Sequence, residues 1–169
     1  MQVLETERLV LRHVTVEDGE FILELLNDPA WLRFIGDRGV RTLHATREYI
    51  LKSFVSMYER LGFGLYLTAL KDDGVPIGIC GLIKRDSLED VDIGFAFLPK
   101  FCGQGYAYES ARAVMDYGEN TFGLNRLVAI TVPENFSSIR LLEKLGFDFE
   151  RTIKLSDDSE SVSLFSCDL

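Results

Sequence analysis

Apolar residues fall in short runs along this chain, and the spacing within and between the runs changes character several times. Leu9-Val10-Leu11, inside the stretch from Arg8 to His13, is a strand candidate. Thr15 followed three residues later by Asp18 has the form of a helix cap. The pairs Phe21-Ile22 and Leu25-Leu26 then recur four apart, which predicts an amphipathic helix ending near Asn27-Asp28-Pro29. From Trp31 to Thr42, with Gly36 and Gly39, neither period holds, so a loop is expected before a second helix over residues 43–60. From Gly64 the pattern turns β-like. The runs Leu65 to Leu70 and Ile77 to Arg85 flank the turn Lys71-Asp72-Asp73-Gly74 as an antiparallel hairpin, and Val91 to Phe97 extends it to a meander that Pro99 ends.

Helical spacing returns at Ala107, Ala111, Val114, Met115, Gly118 and Phe122, with Gly123 or Asn125 as the stop. Leu127 to Thr131 is a short strand, Ser137 to Gly146 a helix stopped by glycine, and Phe147 to Leu155 with Ser161 to Cys167 a closing hairpin. The order is therefore β, α, α, three strands, α, β, α, two strands: an α+β class with one strand-helix-strand crossover, expected to be parallel and right-handed. The two crossover strands run into the glycines after Phe97 and into Asn135, so both strand ends and the intervening helix start are expected on one edge of the sheet. No repeat or linker divides the chain, and a single domain over residues 1–169 is expected.

Composition narrows the class. An apolar fraction of 47% is that of a globular domain, and no run approaches the ~20 apolar residues of a membrane span. The first residues, with Glu5, Glu7 and Arg8, lack the apolar centre of a secretion signal, so a cytoplasmic protein is expected. Three cysteines without C-x-x-C spacing and two histidines support neither a disulfide scaffold nor a metal site. The net charge of −9 disfavours nucleic acid and is otherwise a matter of solubility, with a slight bias toward cationic ligands.

The chemistry is concentrated in Cys102-Gly103-Gln104-Gly105-Tyr106-Ala107. Glycines there let backbone N–H groups converge without side-chain obstruction, and the following helix turns its unsatisfied amides to the same point, as an anion site requires. A tight turn without ligand fits the same residues. Gly105 is not followed by Lys-Ser/Thr, which excludes a P-loop, and Tyr108 stands where a dinucleotide fingerprint wants its third glycine.

These residues, together with the opening Glu5-Thr6-Glu7-Arg8-Leu9-Val10-Leu11-Arg12 and the stretch Asn135-Phe136-Ser137-Ser138-Ile139-Arg140 ending in Glu143-Lys144-Leu145-Gly146-Phe147, resemble the GNAT superfamily of acyl-CoA N-acyltransferases, within it the ribosomal-protein N-terminal (alanine/serine) acetyltransferase branch. The resemblance implies the GNAT fold, a mixed, mostly antiparallel sheet of about seven strands with helices on both faces. It implies acetyl-CoA as cosubstrate, with Phe95, Ala96 and Phe97 pairing along the pantetheine arm, residues Cys102 to Ala107 around the pyrophosphate, and Asn135 and Ser138 on the other side of the arm. Cys102 stands where the family's loop begins with Gln or Arg. On local sequence alone, a turn or cap residue is the favoured reading of Asn135.

An amine is mostly ammonium at neutral pH, so acyl transfer needs a proton acceptor. By the resemblance Asp92 is that base, at a place where some members carry glutamate; a carboxylate partnering a basic side chain is the plain alternative. Leu142 occupies the place of the tyrosine acid of other members, and the ribosomal branch points instead to Ser138, which a pantetheine contact and helix start also explain. The pyrophosphate expected beside Cys102 argues against that thiol as a covalent acyl carrier. Acceptor selection is expected from Trp31 to Arg41, in particular Trp31, Ile35, Gly36 and Asp37, and from the last hairpin with Asp157, Asp158 and Glu160. The acceptor class stays open between a protein N-terminal amine and a small amine, the assembly between monomer and homodimer, and the function between an enzyme and a catalytically weak acyl-CoA-binding sensing or interaction module.

Overall fold

The computed structural model of the chain describes residues 1–169. Its strands are β1 (Gln2–Glu5), β2 (Leu9–Arg12), β3 (Leu65–Leu70), β4 (Pro76–Ile83), β5 (Asp92–Phe97), β6 (Arg126–Thr131), β7 (Asp148–Lys154) and β8 (Ser161–Asp168). Its α-helices are α1 (Gly19–Leu26), α2 (Pro29–Phe34), α3 (Leu43–Tyr49), α4 (Ser56–Leu61), α5 (Tyr106–Phe122) and α6 (Phe136–Lys144). One sheet holds the strands in the order β1-β2-β3-β4-β5-β6-β8-β7, so the expected seven strands become eight. The extra strand, β1, pairs with β2 through a register shift between Gln2 and Leu4, which breaks the alternation that would have marked it.

The cap at Thr15 forms as expected: its hydroxyl accepts from Glu17 N at 3.3 Å and the Asp18 carboxylate accepts from Thr15 N at 2.8 Å. The loop expected from Trp31 is corrected, because α2 starts at Pro29 and runs to Phe34. Asp28 accepts from Ala30 N at 3.0 Å and Pro29 takes the first turn, so residues that end α1 also open the next helix. The second long helix is present but its middle, Ile50–Val55, is wound as a π segment between α3 and α4.

Two cores lie on opposite faces of the sheet. Tyr66, Cys80, Leu82, Ile93 and Phe147 pack with Ala111, Val114, Met115 and Leu142 of α5 and α6. Leu67, Ala69 and Ile79 pack with Ile22, Leu25, Trp31, Ile50 and Phe54 from the α1-to-α4 side. Tyr66 and Leu67 are neighbours in β3 and enter different cores, as the two-residue period of a strand requires. No helix is long and apolar enough to cross a membrane.

β4 passes very close to the segment before β3. A Cβ on Gly81 would run into the Gly64 carbonyl oxygen and lie 2.7 Å from Leu65 Cα, both backbone atoms with no room to yield. Gly81→Ala is expected to destabilise the fold by about 2–3 kcal/mol, read as a fall in the urea midpoint. An unchanged midpoint would show that the strands separate at no cost.

Every neighbouring pair in the sheet is antiparallel except β5 and β6, the crossover pair, which is parallel as expected. β4 pairs with β5 from Gly78↔Phe97 to Ile83↔Asp92, and β6 pairs with β8 from Arg126↔Asp168 to Thr131↔Ser163. Between β5 and β6 the only registered pair is Asp92↔Val128, supported by Val128 N donating to the Val91 carbonyl at 3.0 Å. The two strands meet there and part.

Candidate active site

Parting of β5 from β6 leaves the β5 edge through Phe95, Ala96 and Phe97 without a strand partner, each residue being half-buried. An unpaired strand edge within a sheet is a template for an extended chain carrying amides. Parallel orientation brings both arms of this opening out at the same sheet edge. β5 leads through a 3-10 turn, Pro99–Phe101, into the glycine loop and α5; β6 leads to Asn135 and α6.

Gly103 has φ of 77° and Gly105, the residue before α5, φ of 84°, both in the left-handed region that glycine enters without strain. The Cys102 N–H donates to the Pro99 carbonyl at 3.1 Å, and the next donor with a backbone acceptor is Glu109, to Gly105 at 3.0 Å. The amides from Gly103 to Tyr108 therefore donate to no group of the protein, at the positive end of a 17-residue helix. That is the donor set of an anion site. The Cys102 sulfur lies 3.6 Å from the Leu98 carbonyl, and partial burial, with Asp28 nearby, raises the thiol pKa. A raised pKa gives this thiol no nucleophilic advantage.

Asp92 stands at the vertex where the strands meet and is 1% exposed. Arg85, from the turn after β4, directs Nε at both carboxylate oxygens, at 3.3 and 3.4 Å. Burial pushes the Asp92 pKa up to about 6, with Arg85 and, less, Lys84 holding it lower than burial alone would. The plain alternative, a partner for a basic side chain, is thus present in the geometry, while the pKa is also that of a base poised near neutrality. Asp92 and Ala96 share one face of β5, the face where Ala96 packs with the second core. The carboxylate accordingly belongs to the α1-to-α4 side of the sheet.

On the other arm, Asn135 caps α6, its Oδ1 accepting from Ser138 N at 3.3 Å. Oδ1 is used by the cap and the Nδ2 amide group is left as a donor; Ser138 is half-buried beside it.

The residues expected to select the acceptor are divided. Trp31 is 7% exposed and belongs to the second core, its indole N–H buried without a partner. Ile35 is exposed at the end of α2, and Gly36 follows with φ of 125°. Asp37 is engaged by Arg41 at 2.6 Å and by Gly39 N at 2.8 Å, which holds its pKa low and satisfies the charge that an ammonium would seek.

Arg85 has no sequence signal, since it sits in a polar turn and reaches Asp92 only because Ile83↔Asp92 registers β4 on β5. Arg8 and Glu109, joined at 2.7 Å behind the glycine loop, are 101 residues apart in the chain.

Among known proteins, the acetyltransferase (GNAT) domain family matches residues 8–148. The uncharacterized protein YkkB of Bacillus subtilis is 32% identical over 155 residues, 89% of this chain and 88% of the relative. The spermidine N(1)-acetyltransferase of Escherichia coli is 30% identical over 141 residues, 83% of this chain and 73% of the enzyme. Among solved structures, RimL, a ribosomal alpha-N-protein acetyltransferase in complex with coenzyme A, superposes with a TM-score of 0.84 at 18% identity, covering 100% of this chain and 98% of that one. An acetyltransferase from Agrobacterium tumefaciens gives a TM-score of 0.82 at 23% identity, covering 99% of this chain and 94% of the other.

Proposed function

The chain belongs to the GNAT acetyltransferase family and is an acyltransferase, and from that premise we propose that it moves the acetyl group of acetyl-CoA directly to a primary amine held in the same complex. The observation that carries this reading is the single pairing Asp92↔Val128 between β5 and β6, with the unpaired amides of residues 103–108 at the outer end of the opening.

The residues present fit acetyl-CoA. The free edge at Phe95 to Phe97 would hold the amides of its pantetheine arm, the amides from Gly103 to Ala107 its pyrophosphate, and Asn135 Nδ2 with Ser138 the opposite flank of the arm. Bound there, acetyl-CoA supplies an activated acyl carbon: the amine nitrogen forms a bond to it as its bond to sulfur breaks. Asp92 takes the proton that the ammonium must lose, directly or through a water, and Ser138 supplies the hydroxyl that returns a proton to the departing sulfur. Holding the two reactants together is worth up to ~7–11 kcal/mol, so a base of ordinary strength suffices. Three free thiols, Cys80, Cys102 and Cys167, suit a reducing, cytoplasmic setting.

The acceptor is tested with a panel containing spermidine and peptides beginning with Ala or Ser, each assayed for thiol release from acetyl-CoA. At least one amine is expected to raise thiol release well above the rate in its absence, with intersecting double-reciprocal plots. Parallel plots would replace direct transfer by an acyl-enzyme, and binding of CoA without turnover for every amine would favour the acyl-CoA-binding module.

A further inference from the structure

The motif Thr6-Glu7-Arg8-Leu9 lies outside the acetyl-transfer chemistry, yet the fold brings it against the back of the glycine loop. Arg8 occupies the turn between β1 and β2 and grips Glu109 twice, its backbone N–H donating to Oε1 at 2.8 Å and its Nε to Oε2 at 2.7 Å. Thr6 adds a hydroxyl to Oε1 at 2.6 Å. The same guanidinium sends Nη1 to the Gln104 carbonyl at 2.9 Å and lies 4.4 Å over the Tyr106 ring. Its Nη2 fills the space beside Gly105, where a Cβ would come within 3.2 Å.

The peptide between Gln104 and Gly105 is planar and trans, so its carbonyl and its N–H point in opposite directions. Arg8 takes the carbonyl; the Gly105 N–H is thereby aimed away from Arg8. Glu109, one turn into α5, is the carboxylate nearest the free amides along the chain and would compete with a bound anion for them. Three hydrogen bonds keep it on the far side. We propose that Arg8 is a positioning residue for the anion site: it orients the Gln104–Gly105 peptide and withdraws Glu109, so that the loop amides are presented to the pyrophosphate of CoA.

This inference rests on the reading of the loop as a pyrophosphate site, and the test separates the two. Affinities are measured by calorimetry for CoA, for dephospho-CoA, which keeps the pyrophosphate, and for pantetheine, which lacks it. Wild type is expected to prefer both nucleotides over pantetheine. Arg8→Met is expected to weaken CoA and dephospho-CoA by about tenfold or more and to leave pantetheine unchanged, which also shows that the fold is intact. Arg8→Lys, a point charge without the fork that reaches Glu109 and Gln104 together, is expected to restore little, and Arg8→Gln serves if the Met variant does not fold. An unaltered preference for CoA over pantetheine in the Arg8 variants would overturn the positioning role, as would equal weakening of all three ligands. Absence of any preference in wild type would overturn the pyrophosphate reading and the inference with it.

Discussion

Asp92→Asn is expected to lower kcat/KM for amine acetylation by about 10²–10⁴-fold, the usual worth of a positioned proton acceptor. The wild-type profile of kcat/KM against pH is expected to fall on its acid side with a midpoint near the Asp92 pKa of about 6, and the variant is expected to lose that limb. Arg85 holds the carboxyl lower than burial alone would, so Arg85→Gln is expected to move the limb to higher pH. A structural role is separated by stability. The folded pKa lies above the ordinary aspartate value, so the native state binds this proton more tightly than the unfolded chain; the stability that Asp92 contributes is fully present below about pH 4 and is lost as pH rises through about 6. At pH 8 the wild type carries the whole cost of a buried charge, about 1.4 kcal/mol for every tenfold difference in proton affinity between the folded and unfolded chain. Arg85 is about one-third exposed and can turn to water when Asp92 is neutralised. The Asn variant is therefore expected to melt at or above the wild-type temperature at pH 8 while losing turnover. Retained turnover with a lower melting temperature would make the Arg85–Asp92 pair a structural ion pair and nothing more.

Gly105→Val carries the second large effect, on binding of the donor. Gly105 has φ of 84°, and a β-branched residue in that region is a genuine outlier, costing about 1–3 kcal/mol if the loop keeps its shape. The loop also cannot keep its shape freely, because the new Cβ meets Arg8 Nη2 at 3.2 Å. Relaxation of φ to negative values rotates the Gly105 amide and the peptide on either side. The KM for acetyl-CoA is expected to rise by about 10–100-fold, equivalent to about 1.4–2.8 kcal/mol of lost interaction, with kcat at saturation changed much less. Gly105 is exposed, and the one atom its new Cβ would meet is at the end of the Arg8 side chain, so the core is spared. An unchanged KM in a folded variant would remove this loop from the CoA site.

Much of this architecture is legible in the chain, for identifiable reasons. The hairpin around Lys71 to Gly74, the crossover through α5 and the Gly123 stop follow from periodicity and turn chemistry that act within a few residues. The glycine loop is legible for the same reason, since the need for positive φ is written in the residues themselves. The α2 helix was concealed because Asp28-Pro29 serves as terminator and initiator at once, and a stop after Leu25-Leu26 is the more familiar use of proline. The π segment left no mark in the sequence, because Ile50 and Phe54, four apart and both buried in the second core, keep the spacing of an ordinary helix. What the chain hides most completely are the charges behind the site. Arg85 meets Asp92 through strand register, and Arg8 meets Glu109 and Gln104 through the packing of the first turn against α5. Neither contact follows from a local pattern. Asp37 shows the converse: it is among the residues expected to select the acceptor, and its carboxylate is already paired with Arg41.

The most direct measurement follows both products at once: free thiol and acetylated amine, from acetyl-CoA labelled in its acetyl carbon, with spermidine and the Ala- and Ser-initiated peptides as acceptors. Equal amounts of thiol and labelled amine, formed by wild type and suppressed in Asp92→Asn, are the expected result. Thiol released without labelled amine, or tight CoA binding with neither product for any acceptor, would contradict transfer in the cleft between β5 and β6.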